Sequence, residues 1–179
     1  IPSEIGNLVN LEILILDGNG FTGTIPSEIG NLTALKELGL ANIWDNGGLT
    51  DPIPFEIGNM YDLEYLNLSN NQFSTIPSEI GNLSALKEMY IDGGMISSIP
   101  GQIGNLINLE RLDLNDNEIT SLPSEIGELV SLSRLGLDGN QISILPGSIG
   151  NLTNLQSLLL SDNNLISIPT EIGGMVSLV

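Results

Sequence analysis

The sequence contains no cysteine and no histidine, and it has only 4 basic residues against 22 acidic ones. Without cysteine there is no disulfide, no reactive thiol and no thiolate metal ligand. Without histidine the chain lacks the commonest general base and metal ligand. We therefore expect a protein that is not an enzyme and that needs no cofactor.

Long apolar runs are also missing. None approaches the roughly 18 residues that a membrane-spanning helix needs, so we expect no direct membrane insertion in this segment. The formal net charge of −18 repels nucleic acid and anionic membranes. Such a surface suits cations, basic partners or simple solubility, so the predicted partner is not a nucleic acid.

One repeated unit accounts for the whole chain. Each unit opens on an Ile-Pro or Leu-Pro pair, and the units cover residues 1–24, 25–52, 53–75, 76–98, 99–121, 122–144, 145–167 and, in part, 168–179. A fixed period is typical of a solenoid, in which units bury their apolar faces against one another. We expect a single domain over 1–179. Because the pattern runs out inside its eighth unit, we also expect a fragment of a larger protein.

The first half of each unit reads like Ile-Pro-Ser-Glu-Ile-Gly-Asn-Leu. Proline favours entry into a turn, and serines such as Ser27 and Ser78 stand where a helix N-cap is expected. A glycine recurs at the same place in all eight units, which indicates a tight backbone position. This half is predicted to form one turn of 3₁₀ or α-helix.

The second half reads Leu-x-x-Leu-x-Leu-x-x-Asn, as in the stretch from Leu109 to Asn117. Its period of two predicts a strand with the leucines inward, and the asparagine is expected to bond backbone groups where the chain bends. Two units depart from the pattern. Gly94 replaces the asparagine of the fourth, and the second has 28 residues, with a loop predicted over 41–52 around the only tryptophan, Trp44.

These motifs resemble the leucine-rich-repeat family over essentially the whole chain. The segment Phe21–Pro26 is similar to repeats of plant extracellular receptors and polygalacturonase inhibitors, and later units to the Leu-Pro-x-x-Ile-Gly class. The resemblance implies an α/β fold: a right-handed solenoid, or horseshoe, with a parallel sheet on the concave face and short 3₁₀ or α turns on the convex face. It also implies binding of a protein or peptide. We expect an extracellular or cell-surface location, with a cytoplasmic one as the alternative.

The outward positions of the predicted strands vary, whereas the inward leucines do not. Tyrosine and arginine are enriched at binding hot spots, and both arginines and two of the three tyrosines fall in this set. The predicted binding residues are Trp44, Tyr65, Glu88, Tyr90, Asp92, Arg111, Asp113 and Arg134. The alternative is that the arginines only form cross-strand salt bridges with neighbouring carboxylates.

Several weaker patterns leave other functions open. Asp113, Asp116 and Asp138 are weak candidates for a Ca²⁺ site. Sequons at Asn31, Asn67, Asn82 and Asn151 are candidate glycosylation sites, which would make the chain a glycoprotein. A short row of serine and threonine hydroxyls follows the asparagine turns. The alternative function is therefore an extracellular structural, adhesive or ice- or mineral-binding acidic protein.

Overall fold

A computed structural model describes residues 1–43 and 47–179. Its strands are β1 (Ile13–Ile15), β2 (Gly23–Thr24), β3 (Glu37–Gly39), β4 (Leu49–Thr50), β5 (Tyr65–Asn67), β6 (Glu88–Tyr90), β7 (Arg111–Asp113), β8 (Arg134–Gly136) and β9 (Ser157–Leu159). Seven of them form one parallel sheet in the order β1-β3-β5-β6-β7-β8-β9, while β2 and β4 form a separate pair. The predicted parallel-sheet solenoid is therefore confirmed.

A row of one-turn 3₁₀ helices forms the opposite layer. The helices are Ser3–Asn7, Ser27–Asn31, Phe55–Asn59, Ser78–Asn82, Gly101–Asn105, Ser124–Glu128, Gly147–Asn151 and Thr170–Gly174. Within the described residues, no helix has the length and apolarity that a membrane span requires. The core lies between the two layers, where one leucine or methionine from each inner strand, such as Leu66, Met89 and Leu112, is completely buried.

Each 3₁₀ turn begins one residue earlier than predicted. Pro77 occupies the N-cap position in an extended conformation, and its carbonyl accepts the first hydrogen bond of the turn from the Ile80 amide at 3.1 Å. Ser78 therefore lies inside the turn, where its hydroxyl donates to the Glu79 carboxylate at 3.0 Å. The prediction of a serine N-cap is wrong, because the proline carbonyl is already placed to start the turn.

The recurrent glycine marks the closest approach between neighbouring units. A Cβ atom added at Gly81 would lie 2.5 Å from the Gln102 backbone oxygen of the next unit, and one added at Gly127 would lie 2.3 Å from the Ser148 oxygen. Such distances are shorter than any van der Waals contact, so the turns stack this tightly only without a side chain. The predicted tight position is confirmed, and its cause is the neighbouring unit.

A ladder of buried or half-buried asparagines, each a few residues after a strand, joins neighbouring units. The Asn117 amide donates to the Ile91 carbonyl of the preceding unit at 2.8 Å and to the Leu114 carbonyl of its own unit at 3.2 Å. Its oxygen accepts from the Ile96 amide at 2.9 Å. Asn71, Asn140 and Asn163 repeat this arrangement. One side chain thus satisfies backbone groups of two units.

The long second unit rejoins the solenoid sooner than expected. Leu49 and Thr50 form β4, which pairs with β2, and the Leu49 amide donates to the Asn71 oxygen at 2.8 Å. Leu49 is also completely buried. The predicted loop is therefore shorter than residues 41–52, because its last part is drawn into the core and the ladder.

Because the turns stack closely, we expect the recurrent glycine of the 3₁₀ turns to tolerate a side chain only where no following unit packs against it. In the 179-residue chain, Gly81→Ala should lower the free energy of unfolding by roughly 1–3 kcal/mol, as overpacking does. Gly173→Ala is the matched control, because a Cβ there meets nothing within 4 Å. Urea unfolding followed by circular dichroism measures both, and equal losses in the two variants would contradict the stacking argument.

Candidate functional site

The outward side chains of the sheet line up as the repeat pattern predicts. The register places Tyr65 beside Glu88, Glu88 beside Arg111, and Arg111 beside Arg134. We call the set Tyr65, Glu88, Tyr90, Arg111 and Arg134 the aromatic–arginine strip. Their outward direction follows from the strand period, because the residues between them are the buried leucines and Met89 of the core.

Contacts within the strip hold its centre in one arrangement. The rings of Tyr65 and Tyr90 lie 5.7 Å apart between centroids, at an interplanar angle of 47°. The Tyr90 hydroxyl donates to Glu88 Oε2 at 2.7 Å, and Arg111 Nη1 lies 3.6 Å from Glu88 Oε1. Burial is the main cause that raises the pKa of Tyr90, so its phenol remains protonated and able to donate at neutral pH.

The predicted salt bridges account for only one of the two arginines. Arg111 pairs with Glu88 of the preceding unit. The residue beside Arg134 on the preceding strand is Arg111. Among the described residues, Arg134 forms no ion pair. Like charges placed opposite each other on adjacent strands repel. Arg134 is exposed, and its charge interacts with that of Asp113 without forming an ion pair.

A concavity of about 450 Å³ opens beside the two arginines. Its lining includes Tyr90, Arg111, Asp113, Arg134 and Ser157. We call it the arginine concavity. Close to it, a Cβ atom added at Gly136 would lie 2.8 Å from Asp113 Oδ1. A glycine in the outward column therefore lets the Asp113 carboxylate lie over the next strand.

A second concavity, of about 440 Å³, lies on the other side of Tyr90. Asp17, Asp92, Tyr65 and Tyr90 are among its lining residues, and we call it the acidic concavity. The Asp92 carboxylate accepts a short hydrogen bond from the Ser69 hydroxyl. Tyr90 thus lines both a concavity with two aspartates and a concavity with two arginines and one aspartate.

Several aspartates bond backbone amides, a structural role that sequence analysis missed. Asp17 Oδ1 accepts from the Ala41 amide at 2.7 Å, and Asp138 Oδ1 accepts from the Ser161 amide at 2.6 Å, each in the following unit. Asp113 Oδ1 accepts from the Asn115 amide at 3.2 Å. The recurrence of Asp or Asn just after the strand was the available signal. Part of the acidic composition therefore satisfies the backbone.

The calcium candidates are not grouped with further carboxylates. Within residues 1–43 and 47–179, no group of three or more carboxylates is arranged to hold a metal ion. A Ca²⁺ site at Asp113, Asp116 and Asp138 stays a prediction. Burial raises the pKa of Asp113, and the nearby charges of Asp92 and Asp138 raise it further.

The remaining candidates occupy different places. Trp44 lies outside the described residues. Asn31, Asn82 and Asn151 are exposed at the ends of their 3₁₀ turns, whereas Asn67 lies half-buried on β5. The Asn67 side chain donates to the Tyr65 hydroxyl at 3.2 Å and accepts from the Ser69 amide at 3.1 Å. Glycosylation at the four positions stays a prediction.

Comparison with family models agrees with the repeat architecture. The model described as leucine-rich repeat region matches residues 100–179, and the one described as leucine rich repeat matches residues 10–32 and 62–83. The chain belongs to the leucine-rich-repeat family. No curated protein matches the sequence.

Solved leucine-rich-repeat structures resemble the chain along its whole length. A leucine-rich-repeat protein of Leptospira interrogans is 39% identical over 99% of this chain and 44% of its own, with a TM-score of 0.88. The ectodomain of the Arabidopsis thaliana membrane receptor kinase GASSHO1/SCHENGEN3, in complex with CASPARIAN STRIP INTEGRITY FACTOR 2, is 36% identical over 99% and 22%, with a TM-score of 0.85.

A third similar structure is the plant peptide hormone receptor RGFR1 in complex with RGF2. It is 36% identical over 99% of this chain and 33% of its own, with a TM-score of 0.76. The chain thus spans less than half the length of each of these three leucine-rich-repeat proteins.

Asp113 gives a pH-dependent prediction. Because its pKa is raised in the folded protein, its charge costs stability above the ordinary titration range of a carboxyl group, and this cost disappears at lower pH. Asp113→Asn keeps an oxygen for the Asn115 amide and removes the charge. We expect a higher thermal midpoint than the parent at pH 7 and an equal one near pH ~3. Circular dichroism measures both midpoints. A lower midpoint for Asp113→Asn than for the parent at pH 7 would contradict this account.

Proposed function

We propose that this chain is a non-enzymatic recognition module that binds an extended protein or peptide segment across the aromatic–arginine strip. The observation that carries the proposal is the grouping of two tyrosines and two arginines between two concavities. Elsewhere the same outward columns carry aliphatic residues such as Ile13 and Ile15, small ones such as Gly39, or acidic and amide side chains, none of them aromatic or basic. Tyrosine and arginine supply much of the energy at protein interfaces, so the strip is where a ligand gains most.

The contacts of the strip also lower the cost of binding. Tyr90, Glu88 and Arg111 already bond to one another, and each is mounted on a strand held by its neighbours. Ordering a long side chain on binding costs about 0.5–1.5 kcal/mol, and much of that cost is met before a ligand arrives.

Similar proteins support the same reading. The two plant receptor structures described above contain ligands that their names identify as CASPARIAN STRIP INTEGRITY FACTOR 2 and RGF2. We extend only the general mode to this chain, namely binding through leucine-rich repeats. An extracellular or cell-surface location is part of this proposal. The contribution of Trp44, and the alternative of a structural, adhesive or ice- or mineral-binding protein, stay predictions.

The test is a peptide selection followed by substitution. A displayed library of random peptides is selected on the 179-residue chain, and the affinity of the tightest peptide is measured for the Tyr90→Ala/Arg111→Ala variant. Loss of two hot-spot side chains should weaken binding at least about thirtyfold. Isothermal titration calorimetry measures the change.

A matched control removes the same kinds of group from another region. Tyr61 is exposed outside the strip, and Lys36 pairs with Glu12 at the beginning of the sheet. Tyr61→Ala/Lys36→Ala should leave the affinity within about twofold, as near-neutral interface positions do. An equal loss in the control, or unchanged binding by the strip variant, would refute the proposed surface.

A further inference from the structure

We propose that the ligand of the strip carries two opposite charges, with its cationic group in the acidic concavity and its anionic group in the arginine concavity, on either side of Tyr90. This inference rests on the proposed function and adds the chemical class of the ligand. It follows from how the few basic residues are distributed on the sheet.

Charge changes along the outward columns of the sheet. In the first four units these columns carry carboxylates and no basic residue, the carboxylates being Asp17, Glu37, Glu88 and Asp92. Both arginines of the protein lie in the next two units, where the same columns also carry Asp113 and Asp138. The carboxylates of the first four units attract a cationic group of the ligand, and the exposed guanidinium of Arg134 attracts an anionic one.

In the arginine concavity, Arg134 interacts with the charge of Asp113 but forms no ion pair among the described residues. The other three basic residues each pair with a carboxylate of the preceding unit, the pairs being Lys36–Glu12, Lys87–Glu64 and Arg111–Glu88. For Arg134 the adjacent position is occupied by Arg111 instead. A ligand carboxylate between the two guanidinium groups would supply the missing partner and relieve their repulsion.

The acidic concavity has the complementary chemistry. Asp17 and Asp92 line it together with the rings of Tyr65 and Tyr90. Carboxylates attract a cation, and an aromatic face adds a cation–π attraction. A lysine or arginine side chain of the ligand satisfies both, whereas an acidic group here would be repelled.

The spacing of the two charges can also be derived. Arg134 is in register with Glu88, two strands and about 10 Å away across the sheet, and Asp92 lies four residues beyond Glu88, which adds about 13 Å along the strand direction. The two groups are therefore roughly 16 Å apart. An extended peptide advances about 3.3 Å per residue. The cationic and anionic residues of the ligand should therefore be about four to six positions apart.

The experiment uses the tightest peptide from the selection described above. We expect it to contain a basic and an acidic residue about four to six positions apart. Each is replaced by glutamine in turn, and each peptide is titrated against the parent chain, Arg134→Gln and Asp92→Asn. Neutralising the acidic residue should weaken binding to the parent at least about fivefold, an effect of about 1 kcal/mol, and should have no further effect on Arg134→Gln.

The reciprocal result is expected for the basic residue and Asp92→Asn. Lys36→Gln is the matched control, because it also removes one positive charge but lies four units from Arg134, beyond the screening length of about 8 Å at physiological salt. Each of the two glutamine-substituted peptides should bind Lys36→Gln with the same affinity as it binds the parent chain. Arg134→Glu should reverse the preference and favour a peptide with lysine in place of its acidic residue.

The outcomes separate this inference from the proposed function. A selected peptide that needs Tyr90 and Arg111 but shows no coupling to Arg134 and Asp92 would overturn the dipolar ligand and leave the binding surface intact. Failure of every selected peptide to depend on the strip would overturn both. The inference is supported only if the acidic peptide residue couples to Arg134 and the basic peptide residue couples to Asp92.

Discussion

The contact between one repeat and the next is the constraint on which the rest of the structure depends. A single unit has a strand of three residues and one helical turn, too little to bury its own leucines. Two rows hold neighbouring units together: glycines such as Gly81, where the turns touch, and buried asparagines such as Asn117, which bond two units at once. Because both rows recur, the strands fall into register and every outward column becomes a continuous surface.

Much of this could be predicted from the sequence, because a repeated constraint leaves a repeated residue. The period identified the strands, their register and the asparagine ladder. It failed at Ser78, where proline and serine were competing signals for the same cap, and at Leu49, because burial of an inserted residue depends on its neighbours in space. The backbone role of Asp17 and Asp138 was missed for the same reason, since their acceptor oxygens serve amides one repeat away.

The candidate site was predicted from the positions that vary between repeats, whereas the scaffold was predicted from the positions that recur. Its members were found as exceptions to the pattern, and the sheet places them side by side as their positions in the repeat require. The two concavities were not predictable, because they depend on how neighbouring side chains of different sizes are arranged on the sheet. One example is the Asp113 carboxylate, whose Oδ1 lies 2.8 Å from where a Cβ atom at position 136 would be. That Arg134 forms no ion pair within the described part of the chain likewise emerges only when each basic residue is matched with the carboxylate of the preceding unit. The constant positions thus build the scaffold, and the varied ones give it chemistry.

The central claim is that a ligand lies on the varied outward columns and not on the stacked turns. It is tested most directly by photo-crosslinking a selected peptide that carries one benzophenone side chain, with the attachment points located by mass spectrometry. The account predicts crosslinks within Tyr65–Asn67, Glu88–Tyr90, Arg111–Asp113 and Arg134–Gly136. Crosslinks concentrated in 3₁₀ turns such as Ser78–Asn82 and Ser124–Glu128 would contradict it.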